Sequence, residues 1–428
     1  MIKMMFYKET NFKETLIGNI PQDWELVRLY NIAEDIYYGI TAKAVGNKTE
    51  LKMLRTTEIK DYNVNWDALP FCEITEKRGD VQRFLLKKGD LIIARAGTTG
   101  VSILVEKDFE NVIFGSYLIK VKLIRKVHPK FIHYFCQSRL YWNHISSSQA
   151  GSTLKNISLP VLKSLNVPLP PLIEQQKIAE ILSTVDVAIQ KTDEIIAKTE
   201  RLKEGLMQEL LTKGIGHNEF KDTEIGRIPK EWEVITFKDI TKQFISGGTP
   251  STKNPKYWNG DIPWIRSIHL KRYYIDETSI ERYITKEGLE NSASNIVPKG
   301  NIIIATRVGI GKAAVNLIDV AINQDLTGLV IDKSKTDPLF LVWYLLSPKI
   351  LSLLESFTRG TTIKGIAQNY VKNLLIPLPP INEQRRIVEI LLAVDKKLEI
   401  ERKEKARLER IKQGLMDLLL TGKVRVRV

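Results

Sequence analysis

A proline-rich string that leads into a helical sequence occurs twice in the chain. The first copy, PLPPLIEQQKIAEIL, runs from Pro168 to Leu182, and the second, PLPPINEQRRIVEIL, runs from Pro377 to Leu391, 209 residues later. Chance does not place such a string twice in 428 residues, so the sequence predicts an internal two-fold repeat. Because each proline keeps the residue before it out of the α region, a helix is expected to begin only after the last proline of each copy.

The segment after each proline string has the spacing of one long helix. No proline follows for roughly forty residues in either copy, and apolar residues recur three and four positions apart. Polar residues interrupt this stripe in mid-helix, at Thr192 and Thr199 in the first copy and at Glu401 and Lys405 in the second. The predicted stripe consists of Ile178, Leu182, Val185, Ile189, Ile196, Leu202, Leu206 and Leu210, and of Ile387, Leu391, Val394, Leu398, Leu408, Ile411, Leu415 and Leu418.

A helix of about forty residues is about 60 Å long, and it cannot bury an apolar stripe on its own. The second copy is the obvious partner, and two copies related by a two-fold axis pair side by side only when they run antiparallel. We therefore predict an intramolecular pair that forms a rod with a globular domain near each end. An intermolecular coiled coil and a generic interaction helix remain alternatives.

Two further motifs repeat outside the helices. The string IGNIPQDWE, from Ile17 to Glu25, returns as IGRIPKEWE from Ile225 to Glu233, and its tryptophan is predicted to be a packing element. Residues 91–94 (LIIA) and 302–305 (IIIA) are typical of buried strands, and each is followed by a glycine loop. Residues 129–145 and 338–357 have helical spacing. The two globular regions differ widely between these landmarks, which indicates one scaffold with two different surfaces.

The charge of the chain favours a polyanionic partner. The formal net charge is +14 and the sequence pI is about 9.4, so nucleic acid is the first candidate, and a basic protein without such a partner is the alternative. The two cysteines, Cys72 and Cys136, cannot form a disulfide framework or a four-cysteine metal site. Residues 1–10 lack a signal-peptide core, and no apolar run reaches the roughly 18 residues of a membrane span. We expect a soluble protein of the cytoplasm.

The sequence offers little that would catalyse a reaction. The loop from Val308 to Ala313 contains Gly-Ile-Gly-Lys, but a phosphate-binding loop needs glycine in place of Thr306 and a hydroxyl residue in place of Ala313. The histidines do not have the spacing of metal ligands. Glu58 and Lys60 match a nuclease triplet that is common in charge-rich chains, so a stand-alone nuclease is only a rival interpretation. We expect a chain that is not an enzyme.

Basic residues alternate with aromatic residues in both globular regions. Lysine and arginine neutralise phosphates, and arginine on a loop can also reach base edges. Arg55 and Arg266 occupy matching places, and each either contacts DNA or forms a salt bridge inside its own domain. The candidate DNA-binding residues are Lys43, Arg55, Lys77 and Arg78 in the first domain, and Lys253, Lys256, Tyr257, Trp258, Arg266, His269, Lys271, Arg272, Arg307 and Lys312 in the second.

Taken together, these motifs resemble those of a specificity subunit of a type I restriction–modification system. The resemblance covers essentially the whole chain. It rests on the repeated Ile-Gly-x-Ile-Pro-x-x-Trp-Glu motif, on the SGGTP loop from Ser246 to Pro250, on the strand with its glycine loop, and above all on the two proline-led helix starts. The first domain departs from the pattern, because YGITAK from Tyr38 to Lys43 stands in place of the SGGTP loop.

The resemblance implies an α/β (α+β) fold. It comprises two globular target-recognition domains separated by two long antiparallel helices that form an intramolecular coiled coil, with an internal two-fold repeat. In this chain the implied domains are a first target-recognition domain at 1–165, a first spacer helix at 166–215, a second target-recognition domain at 216–374, and a second spacer helix with the C-terminal tail at 375–428.

The resemblance also implies a function and partners. Each domain would read half of an interrupted DNA target, and the rod would set the gap between the halves. The implied partners are double-stranded DNA, two methyltransferase subunits and a restriction subunit that translocates DNA, with S-adenosylmethionine, ATP and Mg on those subunits and no cofactor on this chain. A scaffold that joins two protein ligands through duplicated adaptor domains is the alternative function.

Exposed helix faces next to the proline strings are candidate methyltransferase contacts. They include Gln175, Gln176, Gln384 and Arg385. The alternative is that the Glu-Gln pairs at these places only start and cap the helices.

Overall fold

The computed structural model describes residues 6–75, 81–148, 156–357 and 365–427. Its strands are short and fall into two sets that mirror the sequence repeat. They are β1 Phe6–Lys8, β2 Phe12–Thr15, β3 Gly18–Pro21, β4 Glu25–Arg28, β5 Ala33–Tyr38, β6 Ala42–Val45, β7 Leu51–Leu54, β8 Ile59–Lys60, β9 Asn63–Val64, β10 Phe71–Ile74, β11 Leu91–Ala94, β12 Ser102–Leu104, β13 Val112–Phe114, β14 Leu118–Leu123, β15 Asn166–Leu169, β16 Phe220–Thr223, β17 Gly226–Pro229, β18 Glu233–Thr236, β19 Thr241–Ser246, β20 Trp258–Ile265, β21 Tyr274–Ile275, β22 Arg282–Ile284, β23 Asn295–Val297, β24 Ile302–Ala305, β25 Ala313–Asn316, β26 Val320–Ile322, β27 Leu326–Ile331, β28 Leu375–Leu378 and β29 Val424–Val426.

Two of the helices are far longer than the others. The helices are α1 Pro129–Phe135, α2 Arg139–Ser148, α3 Leu159–Lys163, α4 Leu172–Lys213, α5 Phe237–Ile240, α6 Lys286–Glu290, α7 Pro338–Leu345, α8 Pro348–Ser356, α9 Gln368–Lys372 and α10 Ile381–Leu419. Within the described ranges, no single helix is both long enough and apolar enough to cross a membrane; only α7 and α8 taken together, with a bend of 65° between them, reach that length and composition.

The chain divides into two compact units. Unit 1 contains Met1–Asp193 and Lys403–Val428, and unit 2 contains Glu194–Arg402. Each unit therefore has a globular part and a portion of both α4 and α10. This arrangement confirms the predicted internal repeat and the mixed fold of helices and strands.

The globular part of unit 1 is built on two four-stranded sheets, in the orders β12-β11-β14-β5 and β13-β7-β10-β6. Strand β11 is buried on both faces, as its unbroken apolar sequence predicts. Leu91 and Ile93 join the core that contains Phe131 of α1, whereas Ile92 and Ala94 join a second core that contains Phe114. The first of these cores lies against the helices, and the second lies between the sheets.

Unit 2 repeats this plan with a five-stranded sheet, β19-β27-β24-β25-β21, and a four-stranded sheet, β22-β20-β26-β23. Strand β24 divides its residues in the same way: Ile302 and Ile304 face the helix-side core, and Ile303 and Ala305 face the second core. Both predicted buried strands are thus confirmed.

The long helices begin where the proline strings end. Strands β15 and β28 contain the first proline of each string and pair antiparallel with β4 and β18, the strands that follow the two repeated tryptophans. Proline is acceptable in such short two-stranded pairs, where few ladder hydrogen bonds are needed. Helix α4 ends directly before Gly214, whose φ angle of +68° is the left-handed value of a glycine C-cap, and Gly422, with a φ angle of +70°, follows the end of α10 by three residues.

The α4 and α10 segments run antiparallel within each unit. In unit 1, Lys412 binds Asp186 at 2.8 Å and Lys405 binds Asp193 at 2.6 Å, so residue numbers fall along α10 as they rise along α4. Unit 2 shows the same order, with Arg402 bound to Glu200 at 2.6 Å and Asp395 bound to Lys203. The predicted intramolecular antiparallel pairing is confirmed.

The register of the stripe differs from the prediction at three leucine or isoleucine positions. Leu202, Ile411 and Leu418 are 53%, 40% and 40% exposed. The three-and-four spacing instead continues through Lys203 on α4 and through Lys412 and Leu419 on α10, one residue further along. The prediction assigned the nearest apolar residue to each position of the stripe. In the structure, Lys203 and Lys412 occupy two of these positions and form ion pairs with the facing helix.

The two predicted mid-domain helices are each broken in two. Residues 129–145 form α1 and most of α2, and residues 338–357 form α7 and α8. Pro348 starts α8, because a backbone N–H in the first turn of a helix has no intrahelical partner and is not needed there. It could not continue α7, because it has no N–H to donate to a carbonyl of that helix.

Candidate nucleic-acid interface and its supporting joints

The glutamine at the start of each long helix caps a shorter helix of its own unit. Oε1 of Gln175 accepts from the backbone N–H of His128, the residue before α1, and its Nε2 donates to a carbonyl of the proline string, both at 2.8 Å. Oε1 of Gln384 accepts from the N–H of Asp337, the residue before α7, at 2.9 Å, and its Nε2 donates to the second proline string at 2.7 Å.

This geometry corrects one expectation from the sequence. Gln175 and Gln384 are 1% and 0% exposed, so they do not lie on exposed helix faces. An uncharged amide can be buried at little cost when both its oxygen and its nitrogen are hydrogen-bonded. The next residues along each helix, Gln176 and Arg385, are exposed.

The glutamates at the helix starts bind the repeated tryptophans. Nε1 of Trp24 donates to Oε2 of Glu174 at 3.2 Å, and Nε1 of Trp232 donates to Oε2 of Glu383 at 3.0 Å. Both indoles are fully buried in the helix-side cores. The tryptophans are therefore packing elements, as predicted, and the bond that orients them comes from the helix.

The two glutamates have different cationic or polar partners. Glu174 accepts from Nε and Nη2 of Arg425 at 2.7 and 2.8 Å, and the same guanidinium also binds Asp23 and Glu9. The hydrogen bond with Arg425 lowers the pKa of Asp23. Sequence inspection missed Arg425, because its partners lie 251 to 416 residues away in the chain.

At the corresponding place in unit 2, a histidine replaces the arginine. Oε1 of Glu383 lies 2.8 Å from Nε2 of His217 and accepts from the N–H of Ile215 at 2.9 Å. The two joints thus share a tryptophan and a glutamate but differ in the side chain that binds the glutamate.

The matching arginines of the two globular parts have different electrostatic surroundings. Arg55 donates to both oxygens of Glu58, from Nε at 3.1 Å and from Nη2 at 2.6 Å. Three positions after Arg266 stands His269 instead, and its Nδ1 accepts the backbone N–H of Arg266 at 2.9 Å. Nε of Arg266 is buried and has no hydrogen-bond partner, and the guanidinium forms no ion pair in the described part of the chain. The salt-bridge alternative therefore holds for Arg55 and fails for Arg266.

His269 is not a surface residue. It is 2% exposed, and burial lowers its pKa. Its place among the candidate DNA contacts is therefore wrong: its ring supports the backbone of Arg266, as the carboxylate of Glu58 supports that of Arg55 at 3.0 Å.

The other candidate cations in the described ranges are all exposed, and they differ in whether a carboxylate lies nearby. Those that form no ion pair in these ranges are Lys43, Lys253, Lys256, Arg307 and Lys312. Lys271 and Arg272 are also exposed but lie near carboxylates, 3.7 Å from Glu281 and 3.8 Å from Glu399 of α10. Lys77 and Arg78 lie outside the described residues. The exposed cations remain predicted DNA contacts.

The candidate aromatic residues of unit 2 are half-buried. Nε1 of Trp258 donates to the carbonyl of Ser251 at 3.1 Å, and its ring packs edge-on against Trp264 at 5.2 Å. Tyr257 ends the short helical turn Pro255–Tyr257 that precedes Trp258, and its backbone lies close to Gly288, where a side chain would not fit. These contacts shape the loop that carries Lys253 and Lys256.

Arg95 in unit 1 is a candidate that sequence inspection missed. It follows strand β11 and opens the glycine loop, and its guanidinium carbon lies 4.4 Å from the ring centroid of Tyr38. Its Nε is buried without a hydrogen-bond partner among the described atoms. In the sequence, residue 95 is only the first residue of a glycine loop after a buried strand, and the nearby Tyr38 ring lies 57 residues earlier in the chain.

No group of three or more His, Cys, Asp or Glu side chains is placed to hold a metal ion in the ranges that the structure describes. In the described ranges, the two globular parts have one scaffold, and each carries exposed basic residues. The chain is therefore a duplicated protein with two positively charged surfaces.

Comparison with known proteins identifies the family. Residues 21–201 and 229–410 each match the family model of the type I restriction modification DNA specificity domain, and the chain belongs to this family. It is 32% identical, over the full length of both chains, to the putative type I restriction enzyme MjaX specificity subunit of Methanocaldococcus jannaschii. It is 30% identical to the MjaVIII specificity subunit of the same organism, over 100% of this chain and 99% of that one. The resemblance seen in the sequence is thus confirmed.

Solved structures show the same fold. A chain from a study of complex assembly and conformational transition of the type I R-M system aligns with a TM-score of 0.61 at 18% identity, covering 94% of this chain and 99% of that chain. The S subunit of the type I restriction-modification system of M. genitalium aligns with a TM-score of 0.55 at 17% identity, covering 96% and 99%.

Proposed function

We propose that this protein is the DNA-reading subunit of a type I restriction–modification complex, and that it recognises a bipartite target with one half-site for each unit. The family match supports the class of protein. The net charge of +14 supports a partner made of phosphates, since cations on a protein surface release counterions from DNA.

The observation that carries the proposal is the difference between Arg55 and Arg266. Both follow a strand of the same scaffold, but Arg55 is neutralised by Glu58, whereas the guanidinium of Arg266 is unpaired among the described residues. An unpaired guanidinium on a rigid element can donate two hydrogen bonds to a guanine edge. Two units that share one scaffold but present different hydrogen-bond donors to DNA are suited to read two different base sequences.

The paired helices act as the ruler in this proposal. Within each unit, α4 and α10 are bound to each other by ion pairs and to the globular part by the joints at Glu174 or Glu383. A helix rises about 1.5 Å per residue, so the length between the two joints sets the number of base pairs between the half-sites.

The proposal assigns catalysis to other chains. Two methyltransferase subunits and a restriction subunit would supply it, with S-adenosylmethionine, ATP and Mg bound there, and this chain would bind no cofactor and act in the cytoplasm. Gln176 and Arg385, exposed at the two helix starts, are proposed to contact the methyltransferase subunits.

The salt dependence of binding tests the DNA partner. The chain, together with its methyltransferase subunit, is titrated with random-sequence duplex between 50 and 200 mM salt. If several phosphates are contacted, log Kd changes linearly with log salt, with a slope of roughly 0.9 for each phosphate neutralised. Absence of binding, or binding independent of salt, would instead support the protein scaffold.

A further inference from the structure

Each unit has a second joint between its helix pair and its globular part. It is built on Asp186 in unit 1 and on Asp395 in unit 2, which are 209 residues apart, as are their lysine partners Lys412 and Lys203. Both aspartates lie one helical turn beyond a fully buried leucine of the helix-side core, so they continue the attachment outward along the helix.

A tyrosine of the globular part completes each joint. Oη of Tyr134 donates to Oδ2 of Asp186 at 2.7 Å, and Oη of Tyr273 donates to Asp395. The tyrosines come from different elements: Tyr134 belongs to α1, and Tyr273 lies in the segment between β20 and β21. Because the two tyrosines come from different elements, the shared scaffold alone does not explain why both units have this contact. The contact itself therefore points to a role in holding the globular part on its helices.

The joint in unit 2 is held by charge as well as by shape. Burial opposes ionisation of Asp395, but hydrogen bonds from Lys203 and Tyr273 outweigh it and lower the pKa of the carboxyl. Burial and the neighbouring carboxylate raise the pKa of Tyr273, so the hydroxyl keeps its proton at neutral pH. Lys203 also lies 5.0 Å from the ring centroid of Trp343, on which Tyr273 packs.

Two separate attachments fix the angle between the globular part of a unit and its own helix pair, whereas a single attachment would leave the globular part able to tilt. The first lies at Glu174 or Glu383 and the second at Asp186 or Asp395, twelve residues along the helix in both units. Twelve residues span about 18 Å, so a slip of about 1 Å at the outer attachment tilts the globular part by about 3°.

We infer that Tyr134 and Tyr273 are positioning residues that, through Asp186 and Asp395, fix the angle of each globular part on its own helix pair and so restrict the protein to one gap length. The inference rests on the proposed bipartite reading of DNA. Adding one base pair to the gap displaces a half-site by about 3.4 Å and rotates it by about 34°. A globular part attached to its helices at only one point can tilt, and it can therefore follow part of this displacement and rotation of the half-site.

The test compares gap lengths with the half-sites kept constant. The full chain, assembled with its methyltransferase subunit, is first used to select half-sites from a random duplex pool, and duplexes with the selected gap and with one base pair more or fewer are then competed. The variant Tyr273→Phe removes only the hydroxyl and keeps the ring on Trp343. Tyr344→Phe is the matched control, because its buried hydroxyl donates to the carbonyl of Leu375 at 3.0 Å, within the globular part.

The inference predicts that Tyr273→Phe lowers the preference for the selected gap over its neighbours by roughly three- to tenfold, which corresponds to the net loss of one hydrogen bond of ordinary strength, without changing the bases selected. Tyr344→Phe keeps the wild-type ratio. Tyr134→Phe tests the equivalent joint and serves if Tyr273→Phe folds poorly. Wild-type ratios in both Tyr273→Phe and Tyr134→Phe would overturn the inference alone, whereas a wild-type chain that selects no paired half-sites would overturn the proposed function and the inference with it.

Discussion

The side-chain amide of Gln137 donates a hydrogen bond to Nε2 of His133 at 3.0 Å. The orientation of the amide follows from its other end, since Oε1 of Gln137 accepts from Lys412 at 3.1 Å. Nε2 of His133 is therefore an acceptor, and the ring is neutral. Burial, aided by the positive charge of Lys412, lowers the pKa of His133 to about 4.

This neutral ring predicts a pH dependence of stability. The unfolded chain protonates His133 near pH 6.5, and the folded chain does so only near pH 4. Between these values the unfolded state binds more protons, so the free energy of unfolding decreases as the pH is lowered, by up to about 1.4 kcal/mol for each pH unit. His133→Gln should flatten the decrease of the melting temperature between pH 6.5 and 4, whereas His144→Gln, in the same unit, should not. Parallel curves for wild type and His133→Gln would contradict the assignment.

The second prediction concerns Arg425, which is the cation for the buried carboxylate of Glu174. Arg425→Gln leaves that charge without its partner, and such a change costs about 3–5 kcal/mol. Hydrogen exchange at the start of α4 should accelerate strongly. Lys230→Gln, which removes an exposed ion pair with Glu219 of 3.1 Å, is the control and should change stability by less than about 1 kcal/mol. Equal exchange in the two variants would show that the Arg425 joint is not stabilising.

The third prediction separates the matching arginines. Arg266→Gln should weaken specific DNA binding by about 1–3 kcal/mol and relax the base preference at one position of one half-site. Arg55→Gln should leave the bases selected unchanged, because Glu58 already engages that guanidinium. Base frequencies after selection with each variant provide the measurement. An unchanged preference with Arg266→Gln would remove Arg266 from the readout.

The fourth prediction concerns the ruler. Seven residues inserted after Asp193 of α4, together with seven after Arg402 of α10, keep the three-and-four spacing and lengthen the pair by about 10 Å. The gap should increase by about three base pairs, with both half-sites unchanged. Insertion into one helix only is the control, since it shifts the pairing of the helices and should abolish binding to either gap. Altered half-site identity in the double insertion would count against the ruler.

The helices and the central strands were predictable because their signals are local. The proline strings and the apolar spacing predicted α4 and α10 to begin after Pro171 and Pro380, and they begin at Leu172 and Ile381. Likewise, the unbroken apolar strings of β11 and β24 predicted strands with two buried faces, since no polar residue marks a solvent side.

The joints were not predictable because their partners are distant in sequence. Glu174 and Gln175 have the sequence of an exposed helix start, but their partners Trp24 and His128 lie 150 and 47 residues away. The sequence could not decide whether Arg55 and Arg266 form salt bridges inside their own domains. Only the fold shows that the carboxylate three residues after Arg55 reaches its guanidinium, whereas the histidine three residues after Arg266 binds its backbone.

Selection from a random duplex pool, with the full chain and its methyltransferase subunit, is the decisive test of bipartite reading. We expect two short blocks of fixed bases separated by an unspecified gap of constant length. A single block, two blocks at variable spacing, or no enrichment would contradict the claim that each unit reads one half of a bipartite target.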